Sequence, residues 1–458
     1  MYRQAQKVHF VGIGGIGMSG IAELLINLGH QVSGSDLKAS AQTDRLADLG
    51  ATIYIGHHPD QVRGAEVVVY SSAVTPDNPE VAAAKAHHVP VIRRAEMLAE
   101  LMRLKYGVAV AGSHGKTTTT SLVSAVLQAG GLDPTVVIGG RLRTLGTNVR
   151  LGQGDWLVAE ADESDGSFLQ LSPVVVVVTN VDAEHLDHYG SFERIQDTFV
   201  EFINKVPFYG AAVLCLDDPP LQELLPRIEK RVITYGLSAQ ADVRATDLKA
   251  EGMQTTFAVF CGERRLGEMT IGFAGRHYVL NSLAAVAVAV ELGIDFAAYS
   301  REFSELWSVG RRFEVKGERG GVLVMDDYAH HPTEIRATLD GVRQSFPERR
   351  VVVLFQPHRY TRTRDLAEKF ATAFYGADVV LMSDIYPAGE RPIPGVSAEG
   401  LAREAGTHGH KDVSYVGDLE AAYRRLREVV RPNDVVVTMG AGDVWRLGPR
   451  WLTEADDD

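Results

Sequence analysis

The sequence predicts an α/β protein of three parallel-sheet domains, and three observations carry that expectation. Short apolar runs of strand length alternate with helix-length segments along nearly the whole chain, the pattern of sheets joined by crossover helices. Two glycine-rich turns, Gly12-Ile-Gly14-Gly15-Ile16-Gly17 and Gly112-Ser113-His114-Gly115-Lys116, each stand between an apolar strand and a helical stretch. At 458 residues, and roughly 150 residues per domain, the chain can bury about three separate cores.

The first block opens with a strand at 8–11, passes the first glycine turn into a helix at 16–28, and continues with strands at 31–34, 67–70 and 90–92. A helix at 95–104 closes it. The second block starts with a strand at 107–111, followed by the second glycine turn, a helix at 121–129 and strands at 156–160 and 174–179. Residues 174–178 are all valine, which predicts a strand buried on both faces. Between 232 and 271 the pattern becomes β-rich, with 255–260 and 266–271 flanking the turn Cys261-Gly262-Glu263 as an appended hairpin. The third block begins near Gly310 and has strands at 322–325, 350–355, 378–382 and 434–438.

Composition narrows the function classes. The chain is 45% hydrophobic and 23% charged, an ordinary globular balance. Its 46 basic against 59 acidic side chains leave a net charge of −13, which disfavours a nucleic-acid partner. Anionic small molecules remain compatible, because backbone amides and a few cations overrule the net sign locally. Cys215 and Cys261 provide neither a disulfide framework nor zinc-ligand spacing. The apolar stretch 279–292 contains Asn281, Ser282 and Glu291 and falls short of the ~20 residues of a membrane helix. With no secretion signal at the start, a soluble cytoplasmic protein with no membrane partner is expected.

The second glycine turn carries the most chemistry. In Gly112-Ser113-His114-Gly115-Lys116-Thr117-Thr118, the glycines let backbone N–H groups face phosphate oxygens, Lys116 neutralises them, and the Thr117 hydroxyl can ligate magnesium. The general phosphate-loop spacing fails at position 110, which is valine, and a plain surface turn is the competing explanation. Two acidic segments at strand ends, Glu160-Ala-Asp162-Glu163-Ser-Asp165 and Asn180-Val-Asp182-Ala-Glu184-His185-Leu-Asp187-His188, tip the balance toward a nucleotide-metal site. The first glycine turn, with Asp36 ending the next strand, matches a dinucleotide fingerprint; a glycine turn for the diphosphate of another nucleotide fits equally.

The ordered set of motifs resembles the Mur ligase family over almost the whole chain. The marks are Gly12-Ile-Gly-Gly-Ile-Gly-Met-Ser-Gly20, Ser35-Asp36, Ser71-Ser-Ala-Val74, the Gly112–Thr118 turn, Glu160–Asp165, Gly275-Arg-His-Tyr-Val-Leu-Asn281, Gly310-Arg-Arg-Phe313, Asp326-Asp-Tyr-Ala-His-His-Pro-Thr-Glu334 and Gln356-Pro-His-Arg-Tyr-Thr-Arg362. The resemblance implies a Rossmann-like UDP-sugar domain at 1–105, a central ATP-binding domain at 106–309 and a Rossmann-like amino-acid-binding domain at 310–458. It also implies ligation of L-alanine to UDP-N-acetylmuramate with ATP and Mg2+, through an acyl phosphate, in peptidoglycan precursor synthesis.

By position, the resemblance places Gly14, Gly15, Ile16, Gly17, Ser35, Asp36, Ser71 and Ser72 at the UDP-sugar. Gly112 to Thr118, His277, Asn281, Arg312 and Asp326 fall at ATP; Lys116, Glu160 and His185 are the catalytic candidates, and Thr117, Glu160 and His185 the metal candidates. Tyr328, His330, His358, Arg359 and Arg362 fall at the amino-acid pocket. Several family members use a carbamylated lysine for a second magnesium, yet no lysine occurs from Leu186 to Asn204, which matches the alanine-adding branch. Three other readings stay open: a tripeptide-adding recycling ligase, a nicotinamide-dependent dehydrogenase suggested by the first turn alone, and a non-catalytic nucleotide switch. Oligomeric state is not encoded in any motif.

Overall fold

A computed structural model describes residues 6–454 without Ser72, Pro76, 143–146, 302 and 304–309; the side chains of 139–142, 147, 148 and Asp187 are also outside the description. It has three sheets, one per domain, and the chain divides into two compact units. One unit comprises Met1–Ala245, Val259–Gly267 and Leu280–Ser300, the other Thr246–Ala258, Glu268–Val279 and Arg301–Asp458.

The first sheet has five parallel strands in the order Thr52–Ile55, Gln31–Asp36, Lys7–Val11, Val67–Tyr70 and Val91–Arg93. Lys7–Val11 is central, and the strand order reverses beside it, so the first glycine turn leaves the sheet at a topological switch point, where open α/β sheets bind ligands. The edge strand Thr52–Ile55 was absent from the sequence expectation because four residues with two polar members carry little periodicity. Val11, Val62, Val68, Val81 and Ala84 form a core on this sheet.

The second sheet runs Arg264–Ile271, Gln254–Cys261, Val243–Glu251, Val232–Gly236, Ala211–Cys215, Val175–Val178, Tyr106–Ala111, Trp156–Glu160, Thr135–Leu142 and Thr147–Arg150. Tyr106–Ala111 lies parallel between Val175–Val178 and Trp156–Glu160. Consequently the phosphate-type loop and both acidic turns leave neighbouring strands at the same sheet edge. The valine strand is wholly buried, as its composition requires. The hairpin strands are neighbours at one end of the sheet.

One helix needs correction. The stretch expected at 121–129 begins at Lys116 and runs to Ala129. Gly115 is left-handed at φ +79°, which ends the loop there, and four successive threonines hide the helical start because β-branched residues favour strands. Side-chain bonds from Thr120 to the Lys116 carbonyl (2.8 Å) and from Ser121 to that of Thr117 (2.8 Å) adapt them to the helix.

The third sheet has the order Glu314–Arg319, Val322–Asp327, Asp434–Met439, Arg350–Phe355, Val379–Ser383 and Val413–Gly417, parallel except for its first strand. Its core includes Val352, Leu354, Leu381, Leu426 and Val436. The segments after Asp327 and Phe355 thus leave strands separated only by Asp434–Met439. Among the described residues no helix is long and apolar enough to cross a membrane.

Candidate active site

The second glycine loop is locked from behind. Gly112 has φ +127°, and a Cβ there would fall 2.1 Å from Thr179 Oγ1. Thr179 Oγ1 donates to the His114 carbonyl (2.6 Å), the Ser113 N–H to the Asn180 carbonyl (3.1 Å), and the His114 N–H to Asn180 Oδ1 (2.8 Å). Asp182 N–H donates to Ser113 Oγ (2.8 Å), and Asp182 Oδ2 lies 3.1 Å from His114 Nε2. The residues after the valine strand therefore act mainly as a template for the loop.

Lys116 Nζ donates to the carbonyls of Gly112 (2.6 Å) and Ser113 (3.1 Å) and to Glu163 (2.8 Å). Burial pulls its pKa down, but the Glu163 carboxylate outweighs burial and holds the lysine above its ordinary value, so it stays an ammonium. Burial pushes Glu163 up to about 7 against the pull of Lys116, with the Asp162 charge adding to the rise. Thr117 Oγ1 donates to Glu160 Oε1 at 3.0 Å. The three metal candidates divide. Thr117 and Glu160 touch each other, whereas His185 stands with Glu163 (3.8 Å) and Glu184 (3.9 Å), three groups whose donor atoms lie within 4.8 Å of one another. Glu163 and Glu184 belong to the acidic runs of the sequence, but nothing local singles them out. Thr118 has no role fixed by its contacts, and Asn281 Oδ1 would lie 2.7 Å from a Cβ on Gly115, so it packs against the loop.

The first glycine turn is held by its neighbours. The N–H groups of Gly12 and Ile13 both donate to the Ser35 carbonyl (2.9 Å), and Gly14 N–H donates to Asp36 Oδ2 (2.8 Å). Ser35 itself is fully buried, and its hydroxyl donates to Glu80 Oε2 (2.6 Å), so it supports the turn from beneath. Ser71 borders the turn, its Cβ 3.3 Å from where one on Gly12 would be. Ile16 and Gly17 open the helix Ile16–Asn27, with Gly15 as its N-cap. Ser72 lies outside the described residues.

In the other unit, Arg312 and Asp326, both expected at the nucleotide, do not pair. Asp326 bonds Arg311 Nε (3.0 Å) and Thr438 Oγ1 (2.7 Å), while Arg312 faces Glu334 at 3.5 Å. Successive strand residues point to opposite faces, so Asp327, one position on, accepts instead from the N–H groups of Phe313 and Ala329, each 2.7 Å. Burial raises Asp327 to about 6, with Arg312 opposing. Arg311 and Arg312 each place their guanidinium about 5 Å from the Tyr328 ring. Arg311, Asp327 and Glu334 were not among the sequence candidates, although all lie inside its motifs.

His330 Nδ1 is 3.0 Å from the Tyr328 carbonyl and 3.1 Å from Glu334 Oε2, and its ring centre is 5.9 Å from that of His358. His358 stacks on Tyr386 and accepts from Arg362 at 3.1 Å; burial first, then His330, Arg362 and Arg359, lower it to about 3. Arg359, left-handed at φ +70°, keeps a partly exposed guanidinium 4.0 Å from Glu390. His277 is lowered to about 4 by burial and then by the Arg312 charge. Tyr328, His330, His358, Arg359 and Arg362 are thus assembled at one sheet edge.

Family comparison covers most of this framework. The descriptions "Mur ligase family, catalytic domain", "Mur ligase middle domain" and "Mur ligase, glutamate ligase domain" match residues 7–106, 110–289 and 311–442. The chain belongs to the Mur ligase family. As a Mur ligase it is 59% identical over 458 residues to the UDP-N-acetylmuramate–L-alanine ligase of Geobacter sulfurreducens, covering 100% of this chain and 99% of that one. The Thermotoga maritima UDP-N-acetylmuramate-alanine ligase structure superposes with a TM-score of 0.80 at 30% identity, covering 97% and 98% of the two chains. A Psychrobacter arcticus murein peptide ligase matches with TM-score 0.70 at 23% identity over 98% of each chain, a likeness of fold.

Proposed function

We propose that this Mur ligase joins L-alanine to the lactyl carboxylate of UDP-N-acetylmuramate with hydrolysis of ATP, in the cytoplasm, as a step of peptidoglycan precursor synthesis. The observation that carries the reading is the Lys116 ammonium, held by the loop carbonyls and Glu163 at the start of the helix Lys116–Ala129, a position that suits a nucleotide phosphate. A carboxylate is a poor electrophile, so the lactyl carboxylate attacks the γ-phosphate of ATP, the bond from the γ-phosphorus to the bridging oxygen breaks, and ADP leaves. Lys116 stabilises the charge that spreads over the transferring group. The acyl phosphate formed is then attacked by the neutral amine of L-alanine, and phosphate leaves from the tetrahedral intermediate as the amide forms.

The amine's carboxylate suits the guanidinium forks of Arg359 and Arg362. The Tyr328 carbonyl and the Glu334 carboxylate both lie at His330 Nδ1, which fixes the orientation of the ring beside the amino-acid pocket. Two separate groups would suit a hard divalent ion such as Mg2+: the oxygens of Thr117 and Glu160, which touch each other, and Glu163, Glu184 and His185, whose donor atoms lie within 4.8 Å of one another. When bound, Mg2+ supplies positive charge to the phosphate oxygens.

The test is phosphate release from ATP with UDP-N-acetylmuramate and a panel of co-substrates. Release dependent on both the UDP-sugar and L-alanine is expected. Release with a free murein tripeptide instead of L-alanine establishes the recycling activity, and no release with any co-substrate overturns the ligase reading.

A further inference from the structure

The third sheet has a cleft of about 190 Å³ that no step of the ligase reaction uses. Its walls come from the tight turn between the strands Glu314–Arg319 and Val322–Asp327, from the end of the helix Leu419–Val429 with the segment that follows it, and from the last helix, Leu447–Thr453. The cleft lies where the strands Val322–Asp327 and Asp434–Met439 begin, and Tyr328 and His330 follow the opposite end of the first of these. A strand of six residues separates the two ends by roughly 16 Å.

The lining is basic. Arg319 is half-buried, and its Nη1 donates to the carbonyls of Trp451 (3.0 Å) and Glu454. Carbonyl partners orient a guanidinium without cancelling its charge. Arg427 stands in the last turn of its helix, where a cation also complements the helix dipole. That explanation does not extend to Arg431, which lies beyond the helix and meets Asp434 Oδ2 through its backbone N–H (2.8 Å) rather than through its guanidinium. The Asp434 carboxylate is itself held by Arg350 at 3.0 and 2.7 Å. Arg450, 4.1 Å over the lining ring of Tyr423, pairs with Glu420 and with Glu454, the acid in the lining. Four arginines against two glutamates give this face an excess of positive charge in a chain of net charge −13. A separate observation concerns Trp451, whose Nε1 is buried with no acceptor among the described residues. Native proteins rarely leave a buried N–H without an acceptor.

We propose that this cleft is a second small-molecule site, for the phosphate group of a compact phosphate monoester. Its donors stand on three separate elements. One guanidinium fork satisfies a carboxylate, whereas a phosphate monoester brings three acceptor oxygens and a charge near −2. At about 190 Å³ the cleft is smaller than the roughly 300 Å³ at which drug-sized pockets begin, which excludes a nucleotide. Val322, Tyr423 and Pro432 in the lining suit a short carbon chain.

The test reads the indole 15N–1H resonance of Trp451 in the full chain, identified by its loss in Trp451→Phe. The probes are glycerol 3-phosphate, inorganic phosphate and citrate at constant ionic strength, with UDP and a non-hydrolysable ATP analogue present to fill the glycine turns of the other sheets. A saturable shift is expected, with glycerol 3-phosphate binding more tightly than citrate. Arg319→Gln and Arg431→Gln should each weaken that binding about 10-fold or more, while Arg424→Gln, an exposed arginine of the same helix outside the lining, leaves it unchanged. Melting curves check the fold of each variant, and the exposed position of Arg431 keeps the test open if Arg319→Gln disturbs it. Equal affinity for inorganic phosphate supports a site for phosphate itself. No shift up to about 10 mM glycerol 3-phosphate overturns the proposal, and so does an equal response in Arg431→Gln. Tighter binding of citrate overturns the assignment to phosphate. A shift that requires Asp456→Asn, Asp457→Asn and Asp458→Asn together assigns the cleft to the chain's own acidic end and overturns the proposal.

Discussion

Lys116 is held by two loop carbonyls and a buried carboxylate, and its proposed part in the reaction is electrostatic. Lys116→Ala should therefore lower phosphate release more than about 100-fold, ~2.7 kcal/mol of transition-state stabilisation, while UDP affinity stays intact. A variant keeping a tenth of the activity would contradict that part. His358 and His277 lead to a second expectation at this scale. Burial lowers them to about 3 and about 4 from an ordinary 6.5, so the unfolded chain takes up protons that the folded chain refuses. The stability tied to their neutral forms is present above pH 6.5 and is lost as pH falls toward 4 and 3. Urea midpoints measured from pH 7 to pH 4 should drop less steeply in His358→Gln than in wild type; identical slopes would exclude His358 as a source of the acid sensitivity.

At the scale of elements, the phosphate-type loop is a strand-to-helix connection whose shape is imposed by the next strand's exit. Gly112 can be only glycine: its φ of +127° is unfavourable for side chains, and Thr179 Oγ1 occupies the space a Cβ would need. Gly112→Ala should distort the loop at a cost of about 1–3 kcal/mol and weaken an ATP analogue, leaving UDP binding at the first turn unchanged. Equal analogue affinity in calorimetry would mean the loop can rearrange freely. The strands that hold these loops were legible because Val8–Val11, Val108–Ala111 and Val175–Val178 are apolar runs bounded by glycine or acidic turns. Thr52–Ile55 and the Lys116 helix start were not, since short polar strands and runs of threonine carry weak or contrary local signals.

On the scale of the whole molecule, the chain divides into two compact units, one carrying the first sheet with its apolar core and the other carrying the third sheet with its own. Independent cores predict unfolding in more than one calorimetric transition. UDP at about 100 times its dissociation constant should stabilise the unit with the first glycine turn by about 2.7 kcal/mol and leave the transition of the third sheet in place. A single transition that shifts as a whole would establish that the units unfold cooperatively.

The sequence by itself determined the fold class, the order of the three sheets along the chain and which turns carry glycine-rich and acidic segments. Those properties are written in local patterns: hydrophobic period, glycines at turns, charges at strand ends. Only the tertiary structure decided the partnerships. Lys116 meets Glu163, 47 residues away, and Arg94 meets Asp162, 68 residues away. Asp326 turns toward Arg311 while Asp327 turns to the backbone of Phe313. Such pairings follow from strand order and from the face on which each alternate residue falls. Strand order is set by contacts between segments far apart in the chain, and a one-residue change of register reverses every face.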